Sequence, residues 1–191
     1  MKICVYGAAS DEIDRSYIEA GENLGREMGR RHHTLIFGGG AKGLMGATAR
    51  GMSENSGYIV GIAPHFFNVD GALFEKNDEL IKTETMRERK HLMEEKSDAF
   101  IVTPGGIGTF EEFFEILTLR SLDRHKKPIA ILNTNGYYNN LLSFLKNGVQ
   151  QKFLRESNLE LFYVSDNEKN ILDYLENYCD DTDYIEKTRF R

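Results

Sequence analysis

Val102-Thr103-Pro104-Gly105-Gly106-Ile107-Gly108-Thr109-Phe110-Glu111-Glu112 joins an apolar run, Ala99–Val102, to a helical pattern that opens at about Thr109. A strand that ends in glycines and turns directly into a helix points bare backbone N–H groups at an anion. Gly105, Gly106, Ile107, Gly108 and Thr109 therefore form a candidate phosphate cradle, and Glu112 adds a carboxylate in the first helical turn. A bland reading competes. Thr109-x-x-Glu112 fits a capping box, in which Thr caps the helix and Glu returns the bond. A purely structural cap does not require three glycines around it, and that company favours a ligand-facing turn.

Working outward, apolar runs at 2–6, 34–37, 58–63, 79–82, 99–102, 128–132 and 161–164 alternate with helical patterns at 11–30, 44–52, 84–96, 109–121, 138–148 and 168–178. Strands that read as continuous apolar runs between helices predict an α/β fold, a doubly wound parallel sheet with helices on both faces. Residues 1–179 are expected to form one domain and 180–191 a charged, loosely held tail. Residues 65–78 are expected to be a loop lying over the site. Ligands of such sheets sit outside the carboxyl ends of the strands, where the glycine turns fall.

Composition narrows the function. The chain has 191 residues, 40% hydrophobic and 28% charged, with a net charge of −6. That is an ordinary soluble-domain composition, and its acidity argues against a nucleic-acid or anionic-membrane surface. Cys4 and Cys179 are the only cysteines. Without metal spacing they suggest a reducing compartment. The opening MKICVYGAAS is too short an apolar run for a signal peptide, and no stretch reaches transmembrane length. A cytoplasmic protein is expected.

A second glycine turn, Gly38-Gly39-Gly40-Ala41-Lys42-Gly43, matches G-x-G-x-x-G. A dinucleotide fingerprint also needs an acidic residue at the end of the next strand, and 58–63 has none. NAD binding is disfavoured, a tight structural turn remains open, and Lys42 lacks the following Ser or Thr of a Walker motif. The third constellation, residues 85–93, is highly charged, as solvated helix faces are. Met86, Arg89, Lys90 and Met93 nonetheless share one helical face. If the methionines point inward, Arg89 and Lys90 follow and need anionic partners, either a ligand phosphate or Glu112. The five histidines show no ligand spacing, so no metal site is expected, and no G-x-S-x-G nucleophile elbow occurs.

The glycine turn 38–46, the Met86-Arg87-Glu88-Arg89-Lys90 segment and the Pro104 to Glu112 stretch together resemble the Lonely Guy family. These are cytokinin riboside 5′-monophosphate phosphoribohydrolases, also described as possible lysine decarboxylases. The resemblance runs from about residue 3 to 178. It implies a Rossmann-like, usually dimeric protein that cleaves the N-glycosidic bond of a nucleoside 5′-monophosphate, without metal or cofactor. By motif it assigns Arg89 and Glu112 as catalytic. Met86, Lys90, the 106–112 segment and Thr118 fall at substrate-binding positions. Two departures stand out. Gly7-Ala8 replaces the Gly-Ser found in many members, with Ser10 available to supply the hydroxyl. Val69-Asp70-Gly71 stands where a substrate-binding Glu is common, with Asp70 as a shorter substitute.

The leading expectation is therefore hydrolysis of cytokinin riboside 5′-monophosphate, AMP or both to free base and ribose 5-phosphate. The phosphate would sit on the 105–109 turn, assisted by Gly39 and Gly40. The rival is a non-catalytic nucleotide or molybdenum-cofactor carrier. A pyridoxal-dependent decarboxylase is remote, because the chain is short for one.

Overall fold

A computed structural model describes residues 1–67 and 71–180. Seven strands form one sheet: β1 (Lys2–Tyr6), β2 (Thr34–Phe37), β3 (Tyr58–Pro64), β4 (Glu79–Thr83), β5 (Ala99–Val102), β6 (Ile129–Leu132) and β7 (Tyr163–Ser165). Their order is β4-β3-β2-β1-β5-β6-β7, and all pairings are parallel. The strand order therefore reverses between β1 and β5, where Tyr6 lies beside Val102. In a doubly wound sheet this switch point is where a ligand crevice opens.

Six helices cover the sheet: α1 (Arg15–Arg30), α2 (Gly43–Ser53), α3 (Met86–Glu95), α4 (Ile107–Ser121), α5 (Asn139–Gln150) and α6 (Glu168–Glu176). The period-two alternation of each strand divides the core into two layers. Ile3, Val5, Leu35 and Phe37 face Leu24 and Met28 of α1, Met52 of α2 and Ile171 of α6. Cys4, Tyr6, Ile36 and Phe100 face Met93 of α3, Phe113 and Ile116 of α4 and Leu145 of α5. Helices thus lie on both faces, as the alternating pattern predicts. Among the described residues no helix is long and apolar enough to cross a membrane.

Several boundaries differ from the sequence reading for local reasons. α1 begins at Arg15 rather than near residue 11, because the Asp14 side chain accepts from the Ser16 N–H and caps it there. The last strand is displaced to Tyr163–Ser165. Residues Glu156–Leu161 form a 3₁₀ turn, and Leu161 is buried in the core from there rather than from the sheet. The most consequential shift is at α4, which starts at Ile107 with Gly106 as its cap and no side-chain capping bond. The Thr109–Glu112 capping box therefore does not form, and Glu112 lies in the second turn rather than the first. Of the stretch expected to be a loop, His65–Phe67 form a 3₁₀ turn, and residues 72–74 are laced to the second glycine turn: Ala72 O accepts from Ala41 N (3.0 Å) and Phe74 N donates to Gly39 O (2.8 Å). Asp180, expected to be loosely held, accepts from Arg120 at 2.7 Å and pairs with Lys126 at 3.2 Å. The rest of that tail, 181–191, lies outside the described residues, as does Asp70.

Candidate functional site

Arg89 projects from α3 into the carboxyl edge of the sheet and is only 5% exposed. Its Nη1 donates to Glu112 Oε1 at 2.8 Å and its Nε to the carbonyl of Ile62, in β3, at 3.2 Å. The guanidinium is backed directly against Gly38, at the end of β2: a Cβ there would lie 2.2 Å from Nη2. Glu112 is 9% exposed. Burial pushes its carboxyl above the ordinary value of 4.5, and the Arg89 charge and hydrogen bond pull it back only in part. Desolvation favours the neutral acid while the cation favours the carboxylate, the balance that poises a carboxyl group for acid–base chemistry.

Beside this pair is the glycine turn. Gly106, Ile107 and Gly108 are exposed, and no side chain caps the first turn of α4. The N–H groups of a first helical turn have no partner within the helix. A Cβ on Gly106 or Gly108 would meet nothing within 4 Å. The fold itself thus gives no steric reason for glycine at either position, whereas close approach of a ligand to the backbone does. Gly105 is different, since a Cβ there would strike Thr109 Oγ1 at 2.1 Å. The turn is braced from below. Tyr137 Oη donates to Gly105 O and Tyr138 Oη to Thr103 O, both at 2.7 Å. Thr103 Oγ1 donates to Tyr6 O at 2.9 Å.

The second turn has a different use. Gly39 adopts φ +77°, and its carbonyl and the Ala41 N–H are consumed by residues 72–74. Gly43, at φ +59°, donates to Asp11 Oδ1 at 2.8 Å and lies under the carbonyl of Ala8. Gly39 and Gly43 are therefore conformational residues that hold neighbouring loops, and Gly40 is half-buried against Leu73.

Of the remaining expected site residues, Met86 opens α3 and is 38% exposed, so it does not share the inward stripe of Arg89 and Met93. Lys90 is turned toward α4, where its ammonium binds Glu111 and, at 2.9 Å, Glu115 rather than Glu112. Thr118 is exposed on that same outer face of α4. The structure therefore brings Arg89, Glu112 and the 105–109 turn together, places Met86 and Thr118 on the surface, and holds Lys90 largely buried between α3 and α4. Ser10 is exposed and accepts from the Glu12 N–H at 3.2 Å.

A cavity of about 540 Å³ opens next to the turn, between residues 8–10, Ile13, Tyr17, residues 104–106 and Tyr137. Its tyrosines were not singled out from the sequence as site residues. Tyr137 could have been flagged by its place just past β6, on the ligand edge of the sheet. Beneath the site the Cys4 thiol is pushed up to about 12 by burial, which disqualifies it as a nucleophile. Among the described residues no group of His, Cys, Asp and Glu is arranged to hold a metal ion.

The family model described as "possible lysine decarboxylase" matches residues 45–175. Cytokinin riboside 5′-monophosphate phosphoribohydrolase LOG5 of Arabidopsis thaliana is 36% identical over 177 residues, covering 93% of this chain and 78% of that protein. The phosphoribohydrolase LOG3 of the same plant is 36% identical over 178 residues, covering 93% and 83%. The chain belongs to the Lonely Guy family. Among solved structures, the molybdenum cofactor binding protein of Rippkaea orientalis superimposes with a TM-score of 0.69 at 20% identity, covering 92% of this chain and 94% of that one. At that identity the likeness is one of fold.

Proposed function

We propose that this protein hydrolyses the N-glycosidic bond of nucleoside 5′-monophosphates, cytokinin riboside 5′-monophosphate or AMP among them, to free base and ribose 5-phosphate. The observation that carries the reading is the buried Arg89–Glu112 pair, 2.8 Å apart, beside an uncapped helix N-terminus with open glycines. The 5′-phosphate sits on the 105–109 turn, held by backbone N–H groups and the helix dipole. This leaves C1′ within the field of Glu112. Departure of the base generates positive charge on the ribose, which the carboxylate stabilises. Glu112 then takes a proton from the attacking water. Water's hydroxyl ends on C1′ and its proton is delivered to the departing base nitrogen. Arg89 fixes the carboxylate and keeps its ionised form accessible in a buried setting.

A removable, buried ion pair is costly to a fold, and a carrier has no use for one. That favours an enzyme over the carrier reading, for which the likeness to molybdenum-cofactor proteins supplies a shared fold only. The cytoplasmic setting and a homodimer belong to the same proposal. A panel of AMP, isopentenyl-AMP, GMP and CMP, followed by chromatography, tests it. Equimolar base and ribose 5-phosphate from at least one adenine nucleotide is expected. Tight nucleotide binding with no base released would establish the carrier instead.

A further inference from the structure

Arg89 and Lys90 are neighbours on α3, and Glu111 and Glu112 are neighbours on α4. Arg89 binds Glu112 on the buried side, and Lys90 binds Glu111 and, at 2.9 Å, Glu115 on the side nearer solvent. The outer set differs from an ordinary surface bridge. The Lys90 side chain is only 13% exposed, while its two carboxylate partners are half-exposed. Burial works against the Lys90 charge, yet the bonds to Glu111 and Glu115 outweigh it and hold the ammonium above its ordinary 10.5. Among the described residues neither carboxylate has another cation within ion-pair distance.

Helix α4 alone would not favour this arrangement. Glu111 and Glu115 stand four residues apart, where like charges on a helix repel. Glu111 also adjoins Glu112. Burial is the main force raising the Glu112 carboxyl; of the charges around it, Arg89 lowers it, Glu111 raises it and Lys90 lowers it. Cys4 and Tyr6 of β1, also coupled to Glu112, are kept neutral by their own burial. One ammonium between Glu111 and Glu115 therefore removes a repulsion, ties α3 to α4 beside the reacting pair, and offsets the Glu111 charge at Glu112.

We infer that Lys90 is a positioning residue: through Glu111 and Glu115 it fixes α4 against α3 and shields the Glu112 carboxylate, without touching substrate itself. The inference rests on the reading of Glu112 as the carboxylate that drives hydrolysis. A direct contact with a substrate phosphate would require the ammonium to leave both carboxylates. It would also leave two unpaired like charges on α4.

The test is a double-mutant cycle on the full chain, Lys90→Met against Glu111→Gln/Glu115→Gln. It is read as base release from the nucleotide the parent turns over best, and as ribose 5-phosphate binding. Lys90→Met should lose about tenfold in kcat with ribose 5-phosphate affinity unchanged, and Lys90→Arg should recover much of that loss. The acid limb of Lys90→Met should lie above the parent's, because Glu111 then acts on Glu112 without its counter-charge. Added to Glu111→Gln/Glu115→Gln, Lys90→Met should cost almost nothing further, since its partners are gone. A loss of the same size with and without the two carboxylates overturns the inference. So does an unmoved acid limb, or weakened ribose 5-phosphate binding with kcat kept, which would make Lys90 a substrate contact. If Lys90→Met does not fold, Glu111→Gln/Glu115→Gln decides: a lower kcat at unchanged affinity supports the positioning role, and the parent's kcat overturns it. A parent that releases no base from any nucleotide refutes the hydrolase reading and this inference with it. An active parent with an additive cycle refutes the inference alone.

Discussion

Gly38→Ala is the sharpest perturbation of the site, because it adds one methyl group to a position whose backbone any residue can adopt. The added carbon would lie 2.2 Å from Arg89 Nη2 and 3.3 Å from both its Cζ and Met45 Sδ. Restoring an ordinary 3.4 Å contact from 2.2 Å asks the guanidinium to retreat by about 1.2 Å. The Arg89–Glu112 bond is 2.8 Å, so such a retreat breaks it or drags Glu112 along. A misplacement on the order of 1 Å in a catalytic array costs roughly a hundredfold in rate. The expected stability loss is about 1–3 kcal/mol, the usual cost of overpacking. The assay is kcat/KM for base release from AMP, with urea unfolding in parallel. A further consequence concerns titration. Arg89 is the main influence lowering the Glu112 pKa, so its withdrawal should move the acid limb of the rate profile upward. A Gly38→Ala protein with the parent's kcat/KM and acid limb would refute the claim that Arg89 acts through this contact.

Gly108→Ala should separate fold from function: alanine replaces glycine inside a helix in open space, so stability should rise by up to about 1 kcal/mol, while phosphate affinity falls about tenfold. Thermal melting and ribose 5-phosphate binding check the two halves, and unchanged binding would remove this turn from the phosphate site. The parent's kcat/KM should fall in acid with an apparent pKa above 4.5, as protonation removes the Glu112 charge. For stability the sign is opposite: the native carboxyl holds its proton longer than the unfolded one. This group's contribution therefore declines as pH rises from 4.5 through the raised native value, and Glu112→Gln should flatten that slope in urea titrations across the window. Tyr137→Phe removes one hydrogen bond to Gly105 O, with an expected cost of about 1 kcal/mol and a several-fold rise in KM. A KM equal to the parent's would show that the brace does not set the turn.

The parallel sheet was legible because buried strands such as 99–102 and 129–132 carry no polar residue to interrupt them, and each is followed by a turn and a helical pattern. Arg89 was legible too: it stands four residues before Met93, and both are buried on one stripe of α3. The same stripe did not extend to Met86, which opens the helix before that stripe reaches the core; Lys90 does turn inward, its side chain 13% exposed, but its carboxylate partners are Glu111 and Glu115 rather than Glu112. The helix start was misread because Thr109-x-x-Glu112 imitates a cap, while Ile107 and Gly108 carry weak helix propensity. The difference matters chemically. With α4 starting at Ile107, Glu112 belongs to the buried side of the second turn, where it meets Arg89 instead of its own backbone. Gly38 was hidden for another reason. What forbids a side chain there comes from Arg89, 51 positions away in sequence, a distance no local pattern spans. The tyrosine brace under Gly105 is likewise a product of β6 lying beside β5.

The central claim is that Glu112, paired to Arg89, drives N-glycosidic hydrolysis. The most direct measurement is release of adenine from AMP, or of isopentenyladenine from its nucleotide, by the parent and by Glu112→Gln side by side. Gln keeps the shape and the hydrogen bond but not the charge. The account predicts equimolar base and ribose 5-phosphate from the parent and a loss of about a hundredfold or more in kcat for the variant, with ribose 5-phosphate still bound. Base release at the parent rate by Glu112→Gln would contradict it.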